Sequence, residues 1–339
     1  VAGPGTENGV RELIQHGGNL AGARATFPLA PEPWIDLSTG INPHSYSHSP
    51  IPGNAFARLP EPSALEELKA IAAKAYSAPS MAHIAAGPGT QILLPIVAGL
   101  TGGRKAVVLS PTYAEHARAA KMAGFHVTET DDLQQLTTAD LAVIVNPNNP
   151  TGRVVPRVQL LRLAAAMRAK GGLLIVDEAF IDVSEAISVA NMVDQGGLLV
   201  LRSFGKFYGM AGLRLGFAVS QPSIAQRIEE RLGPWAVSGP TLHVAREALA
   251  DTTWQDEMRR RLEGDAARLD ALFAAAGISI FGGTSLFRFI RDPRAQSLYR
   301  HLGEHGIITR RFEERLDDLR IGLPQEGGWA RLEEALASF

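Results

Sequence analysis

The sequence predicts an α/β protein: a large domain on a mostly parallel sheet, joined to a smaller α+β domain. Three observations carry that expectation. From about residue 62 to residue 235, short β-branched apolar runs alternate with amphipathic stretches, the pattern of strands buried under helices on both faces. The runs are followed by polar, glycine or proline residues that turn the chain at the sheet edge. Beyond about residue 235 the texture changes to long helical stretches and a few late strands. A chain of 339 residues exceeds one ordinary domain and falls short of three. The expected division is 1–50 as an N-terminal arm that also completes the small domain, 51–238 as the large domain and 239–339 as the C-terminal small domain.

In chain order, proline-rich sequence between Pro28 and Pro62 reads as extended arm and loop. Ser63 followed by Glu66 has capping-box spacing, and Leu65, Leu68, Ile71 and Ala75 then mark one helix face. Strands are expected over 106–109, 141–145, 173–176, 198–201 and 215–219, each too short and too continuously apolar for a surface helix. Residues 240–275 read as long helix, with strands following near 285–290 and 319–323. A last helix places Trp329, Leu332, Leu336 and Phe339 on one side.

A formal net charge of -2 gives no electrostatic drive toward nucleic acid or anionic lipid, and the Arg259, Arg260, Arg261 cluster reads as a solvated helix face. The absence of cysteine excludes disulfides, thiolate metal sites and a cysteine nucleophile, and a reducing cytoplasm suits such a chain. The longest apolar stretches, such as residues 92–100, fall below the roughly 18–20 residues a membrane span needs. The first 25 residues lack the apolar centre of a secretory signal. Neither nucleic acid nor a membrane is expected as a partner, and no metal site is singled out.

Four segments carry chemistry. Asp177-Glu178-Ala179-Phe180 puts an acid directly after the run 173–176, at the carboxyl edge where open α/β sheets collect ligands. An aspartate there also serves as an ordinary cap or turn residue. Ser203-Phe204-Gly205-Lys206 follows the next run and sets a lysine among Phe204, Phe207, Tyr208 and Met210. Such surroundings desolvate an ammonium and lower its pKa, as a Schiff-base lysine requires, whereas a surface lysine would snorkel to water. Gly87-Pro88-Gly89-Thr90-Gln91 precedes an amphipathic run from Ile92, so amides at a helix start would face an anion, or the glycines simply turn the chain. Ser203 and Arg214 supply the hydroxyl and cation that a bound phosphate also needs. Asn146-Pro147-Asn148-Asn149-Pro150-Thr151-Gly152 cannot continue its strand, and at the same edge it offers the Asn149 amide to a ligand oxygen.

Together and in this order, these residues resemble the fold-type I pyridoxal-phosphate enzymes of the aspartate-aminotransferase superfamily, over about residues 16–335. The resemblance implies a seven-stranded, mostly parallel sheet in the large domain and pyridoxal 5'-phosphate as cofactor. It implies that Lys206 carries the cofactor on its amine, that Asp177 pairs with the pyridine nitrogen and that Tyr113, in Ser110-Pro111-Thr112-Tyr113, stacks on the ring. Gly89, Thr90, Gln91, Ser203 and Arg214 would complete the cofactor site around the phosphate, with Asn149 on the phenolic oxygen. A carboxylate at the pyridine nitrogen keeps it protonated and makes the ring an electron sink.

Within the superfamily, His16-Gly17-Gly18-Asn19, Asp36-Leu37-Ser38-Thr39-Gly40-Ile41-Asn42-Pro43 and the segment from Arg202 to Met210 are similar to the threonine-phosphate decarboxylases of cobalamin biosynthesis. Histidinol-phosphate aminotransferases are the close relatives. The resemblance implies a lyase converting L-threonine O-3-phosphate to (R)-1-amino-2-propanol phosphate and carbon dioxide, with amino transfer as the alternative. It assigns Arg320 to the substrate carboxylate and Arg310 or Arg311 to a substrate anion, although the latter pair could equally be strand-end surface charges. His16, Asn19 and Asn42 fall on the substrate side, where the first two either close over the site or form a glycine-rich turn. The resemblance also implies a homodimer. Two residues depart from the pattern: Phe180 stands where many aminotransferases have a tyrosine on the phenolic oxygen, and Leu59 where relatives often place a tyrosine that reaches the neighbouring subunit's phosphate.

Overall fold

The structure, a computed structural model, describes residues 16–339, so the part of the expected arm before His16 lies outside the described residues. From Phe27 the chain runs irregularly, as the prolines dictate, apart from β1 (Ile35–Asp36) and one helical turn at Asn54–Ala57. Then come β2 (Ile84–Gly87), β3 (Lys105–Leu109), β4 (His126–Thr130), β5 (Leu141–Val145), β6 (Leu173–Asp177), β7 (Leu198–Ser203) and β8 (Gly216–Val219). These last seven form one sheet in the order β2-β8-β7-β6-β5-β3-β4. It is parallel except at β8, which runs antiparallel to both β2 and β7. All residues of β5 and β6 are buried, as strands covered on both faces must be.

The second half adds β9 (Ile280–Thr284), β10 (Phe287–Arg291), β11 (Ile307–Ile308), β12 (Arg310–Arg311) and β13 (Asp318–Gly322). Four of them make an antiparallel sheet in the order β12-β13-β10-β9, while β11 pairs in parallel with β1. Among the described residues no helix is long and apolar enough to cross a membrane.

Several local expectations need correction. The helix over Pro62–Ala75 starts on Pro62 in its first turn after Glu61, with no side-chain cap, so Ser63 is not the capping residue. Its buried face is Leu68, Ala72 and Ala73, and Ala75 is exposed. The long helix of 240–275 is two helices, Gly239–Ala250 and Thr252–Ala275, interrupted at Asp251, whose carboxylate accepts from the amide of Trp254 and caps the second. Arg259 does not simply face solvent: its Nε donates to the carbonyl of Asp182 at 2.8 Å and its guanidinium stacks 5.3 Å from the Phe207 ring. Phe339 falls beyond the last helix, Trp329–Ala337, which buries Trp329, Leu332 and Leu336.

Candidate active site

Parallel strands end their polar residues on one side of a sheet, and here β3, β5, β6 and β7 deliver theirs to a cavity of about 980 Å³. Asp177 is the last residue of β6 and Ser203 the last of β7, while Lys206 sits in the helical turn Phe204–Phe207 that follows. Tyr113 and Asn149 come from the loops after β3 and β5. Asp177 and Lys206, far apart in sequence, therefore share one cavity.

The Lys206 amine lies 5.9 Å from the centre of the Phe180 ring. Burial lowers its pKa from 10.5 to about 8; the positive charges of Arg320 and Arg214 push the same way and Asp177 opposes them. A free amine is thus reached at mildly alkaline pH. Asp177 is only 5% exposed. Its Oδ2 is 2.9 Å from Nε2 of the buried His116, and its Oδ1 accepts from the amide of Ala179 at 3.0 Å. The neighbouring Glu178 points the other way into the protein, where the Ser188 hydroxyl, the Val189 amide and Arg202 hold it and burial raises its pKa.

Tyr113 donates its hydroxyl to Oε1 of Gln91 at 3.0 Å, and Nε2 of Gln91 donates to Glu115 at 2.6 Å. Burial, with the charges of Glu115 and Asp177, raises the Tyr113 phenol to about 12, so it remains a neutral donor. Nearby, the helix Thr90–Ala98 opens on the cavity behind Gly89, whose φ of +92° suits glycine, and no side chain caps its first amides. A Cβ on Gly89 would stand 2.7 Å from Nη2 of Arg214. Glycine thus lets a guanidinium, the helix amides and the edge occupied by Ser203 converge, an arrangement suited to a phosphate dianion.

The opposite wall comes from the four-stranded sheet and the arm. Arg320, on β13 and 8% exposed, donates to Oδ1 of Asn149 and to the carbonyl of Ser38, both at 2.6 Å. Its Nε is buried with no hydrogen-bond partner among the described residues. Burial first, then the charge of Arg310, lowers its pKa to about 10, so an arriving carboxylate would stabilise the cation. Arg310 and His16 also line this side.

Three expected site residues stand elsewhere. Asn42 is buried away from the cavity: its Nδ2 donates to the carbonyl of Phe207 at 2.7 Å and its Oδ1 accepts from the amide of His44. It clamps the lysine loop rather than facing a ligand. Asn19 caps the helix Leu20–Thr26 by accepting from the amide of Gly22. Arg311 turns from the cavity, 3.8 Å from Glu313 and stacked 5.1 Å from the Tyr299 ring. Conversely, sequence reasoning passed over His116 and Glu115, although both begin the helix Glu115–Met122 directly behind Tyr113. Proximity to Tyr113 was the signal that could have found them.

The donors fit pyridoxal phosphate at each end: an amine for the aldehyde, a carboxylate for the ring nitrogen and a cradle for the phosphate. Residues 32–338 match the family described as Aminotransferase class I and II. A threonine-phosphate decarboxylase of Pseudomonas aeruginosa is 42% identical, across 96% of this chain and 98% of that one. Another, from Sinorhizobium sp., is 41% identical across 96% and 98%. A solved histidinol-phosphate aminotransferase of Sinorhizobium meliloti, in complex with pyridoxal-5'-phosphate, superimposes with a TM-score of 0.81 at 21% identity, covering 97% of this chain and 96% of that one.

Proposed function

Because the chain belongs to the class I and II aminotransferase family, we propose that it is a pyridoxal-phosphate lyase that converts L-threonine O-3-phosphate to (R)-1-amino-2-propanol phosphate and carbon dioxide. The product is the unit that links the corrin ring to its nucleotide loop, which places the reaction in cobalamin biosynthesis. One observation carries the reading: a single cavity holds Lys206 and Asp177 on one wall and the guanidinium groups of Arg320 and Arg310 on the other. A substrate with a carboxylate, an amine and a phosphate needs that distribution of charge.

Bound pyridoxal phosphate supplies a ring that accepts the electron pair left on Cα when the carboxyl group departs. The chain's residues do the rest. Asp177, held on its far side by His116, keeps a proton on the ring nitrogen, and Asn149 donates to the phenolic oxygen. Gly89, Thr90, Ser203 and Arg214 would hold the cofactor phosphate, and Tyr113, its hydroxyl fixed by Gln91, would lie against the ring. Arg320 grips the substrate carboxylate and Arg310 meets its phosphate. As carbon dioxide leaves, Nζ of Lys206 delivers the proton that replaces it on Cα. Phe180 leaves the phenolic oxygen without a tyrosine hydroxyl. We further place the enzyme in the cytoplasm as a homodimer; Phe56 and Leu59, 69% and 64% exposed, offer apolar surface to a second copy.

Incubation with pyridoxal phosphate and phosphothreonine tests the reaction. The expected product has lost its carboxyl group by mass spectrometry, with matching carbon dioxide release. The same cavity would serve an aminotransferase acting on histidinol phosphate, because amino transfer to 2-oxoglutarate uses the same amine, the same acid and the same carboxylate-binding guanidinium. Glutamate formed from 2-oxoglutarate, with no carbon dioxide, would establish that alternative instead.

A further inference from the structure

Glu115 is a carboxylate 3% exposed, next to the cavity, to which the proposed chemistry gives no task. An acid at a helix start interacts with the helix dipole without being buried, and its neighbour Arg118 could pair with it at the surface. Neither explains its partners. His16 reaches its Oε1 at 3.1 Å, Gln91 donates to its Oε2 at 2.6 Å and Arg118 donates to it at 3.1 Å. Two of the three, His16 and Gln91, line the cavity from distant parts of the chain.

The bond to Gln91 fixes which end of that amide faces Tyr113. With Nε2 committed to Glu115, Oε1 is left to accept the tyrosine hydroxyl. The bond to His16 holds the other partner, residues 16–18, against the cavity. That segment has a second seat on Ser38: the amide of Gly18 donates to the Ser38 hydroxyl at 2.7 Å, and a Cβ on Gly17 would stand 2.2 Å from the Ser38 carbonyl oxygen. The same carbonyl receives Arg320.

We infer that Glu115 is a positioning residue that latches residues 16–18 across the cavity and, through Gln91, ties that strap to the orientation of Tyr113. The strap completes the substrate side of the site, and Glu115 sets how tightly the substrate is held. The kinetic half of this inference rests on the lyase reading, whereas the latch itself does not.

Two measurements on the full chain test it, with Glu115→Ala, Glu115→Gln, His16→Ala, Gly17→Ala and the His16→Ala/Glu115→Ala double variant. In hydrogen exchange without substrate, the amide of Gly18, bonded to the Ser38 hydroxyl, should exchange about tenfold faster in Glu115→Ala, His16→Ala, Gly17→Ala and the double variant, an effect the size of one charge-assisted bond, while those of β5 and β6 stay protected. In turnover of phosphothreonine, KM should rise about tenfold in Glu115→Ala with kcat within a few-fold, and the double variant should be no worse than either single one. Glu115→Gln, which keeps one oxygen but serves only one partner, should fall between wild type and Glu115→Ala. If Glu115→Ala does not fold, Glu115→Gln and Gly17→Ala carry the test. Unchanged exchange in the strap overturns the latch. Faster exchange with unchanged KM overturns the positioning role, and so do effects of His16 and Glu115 that multiply. If wild type releases no carbon dioxide, the lyase reading falls together with the kinetic half, and exchange still decides the latch.

Discussion

The two walls of the cavity are built from different materials. On the wall of the seven-stranded sheet, Asp177 and Ser203 end the interior strands β6 and β7, Lys206 stands in the turn that follows, and His116 holds Asp177 from behind. The facing wall consists of Arg320 and Arg310 on a small sheet and of an arm seated by a few hydrogen bonds. On the proposed chemistry, groups that act on the cofactor throughout the reaction sit on the first, rigid wall, and groups that meet a substrate that comes and goes sit on the second, whose arm is its adjustable part. The difference teaches that damage to the first should appear in kcat, and damage to the second in KM.

The hardest blow to that division is Lys206→Ala. It should lower kcat by about 10⁴-fold, the upper range for a proton-transfer group, and abolish the near-visible absorbance of lysine-bound cofactor. Asp177→Ala should lower kcat by about 10²–10³-fold with little change in KM, which steady-state kinetics on phosphothreonine would read. A large KM effect instead would break the separation of the walls. Arg320→Lys, which keeps the charge and loses the planar fork, should lower kcat/KM by about 10–100-fold, mostly through KM, with the cofactor absorbance retained. Loss of cofactor from that variant would show that Arg320, through Asn149, belongs to the rigid wall.

The smallest expected effect concerns pH. Lys206 has a pKa of about 8 in the folded protein against 10.5 ordinarily, so between those values the unfolded chain holds the extra proton. Stability of the cofactor-free protein should therefore rise with pH across that window and be flat for this group below it. Denaturation midpoints of wild type, compared with Lys206→Met, would show a slope that the variant lacks.

The rigid wall was also the more legible in sequence. Residues 141–145 coincide with β5, and the run 173–176 falls one residue short of β6, because continuous apolar runs bounded by turn residues have few other solutions. The polar residues at their ends could be placed as soon as the strands were. Two strands of the seven-stranded sheet escaped notice: β4 is the outermost strand, polar and largely exposed, and β2 is four small or apolar residues at a glycine turn. The adjustable wall was harder to read, because its residues are placed by long-range bonds that no local pattern announces. Asn42 looked like a ligand-facing asparagine until its amide proved to be spent on Phe207, and Arg311 looked equivalent to Arg310 although alternation along a strand sends the two in opposite directions. His116 meets Asp177 across 61 positions, a pairing that spacing alone could not supply.

The paired acids at the end of β6 carry a consequence for how this chain can change over time. Asp177 and Glu178 have opposite surroundings only because consecutive side chains leave an extended backbone on opposite faces. Deleting one residue within β6 would bring Glu178 to the ligand-facing position and leave Ala179 in the niche of Ser188 and Arg202, while inserting one ahead of Val176 would send Asp177 into that niche and turn Val176 toward the ligand. Inheritable length variation should therefore be confined to the connecting loops, while this strand keeps its frame.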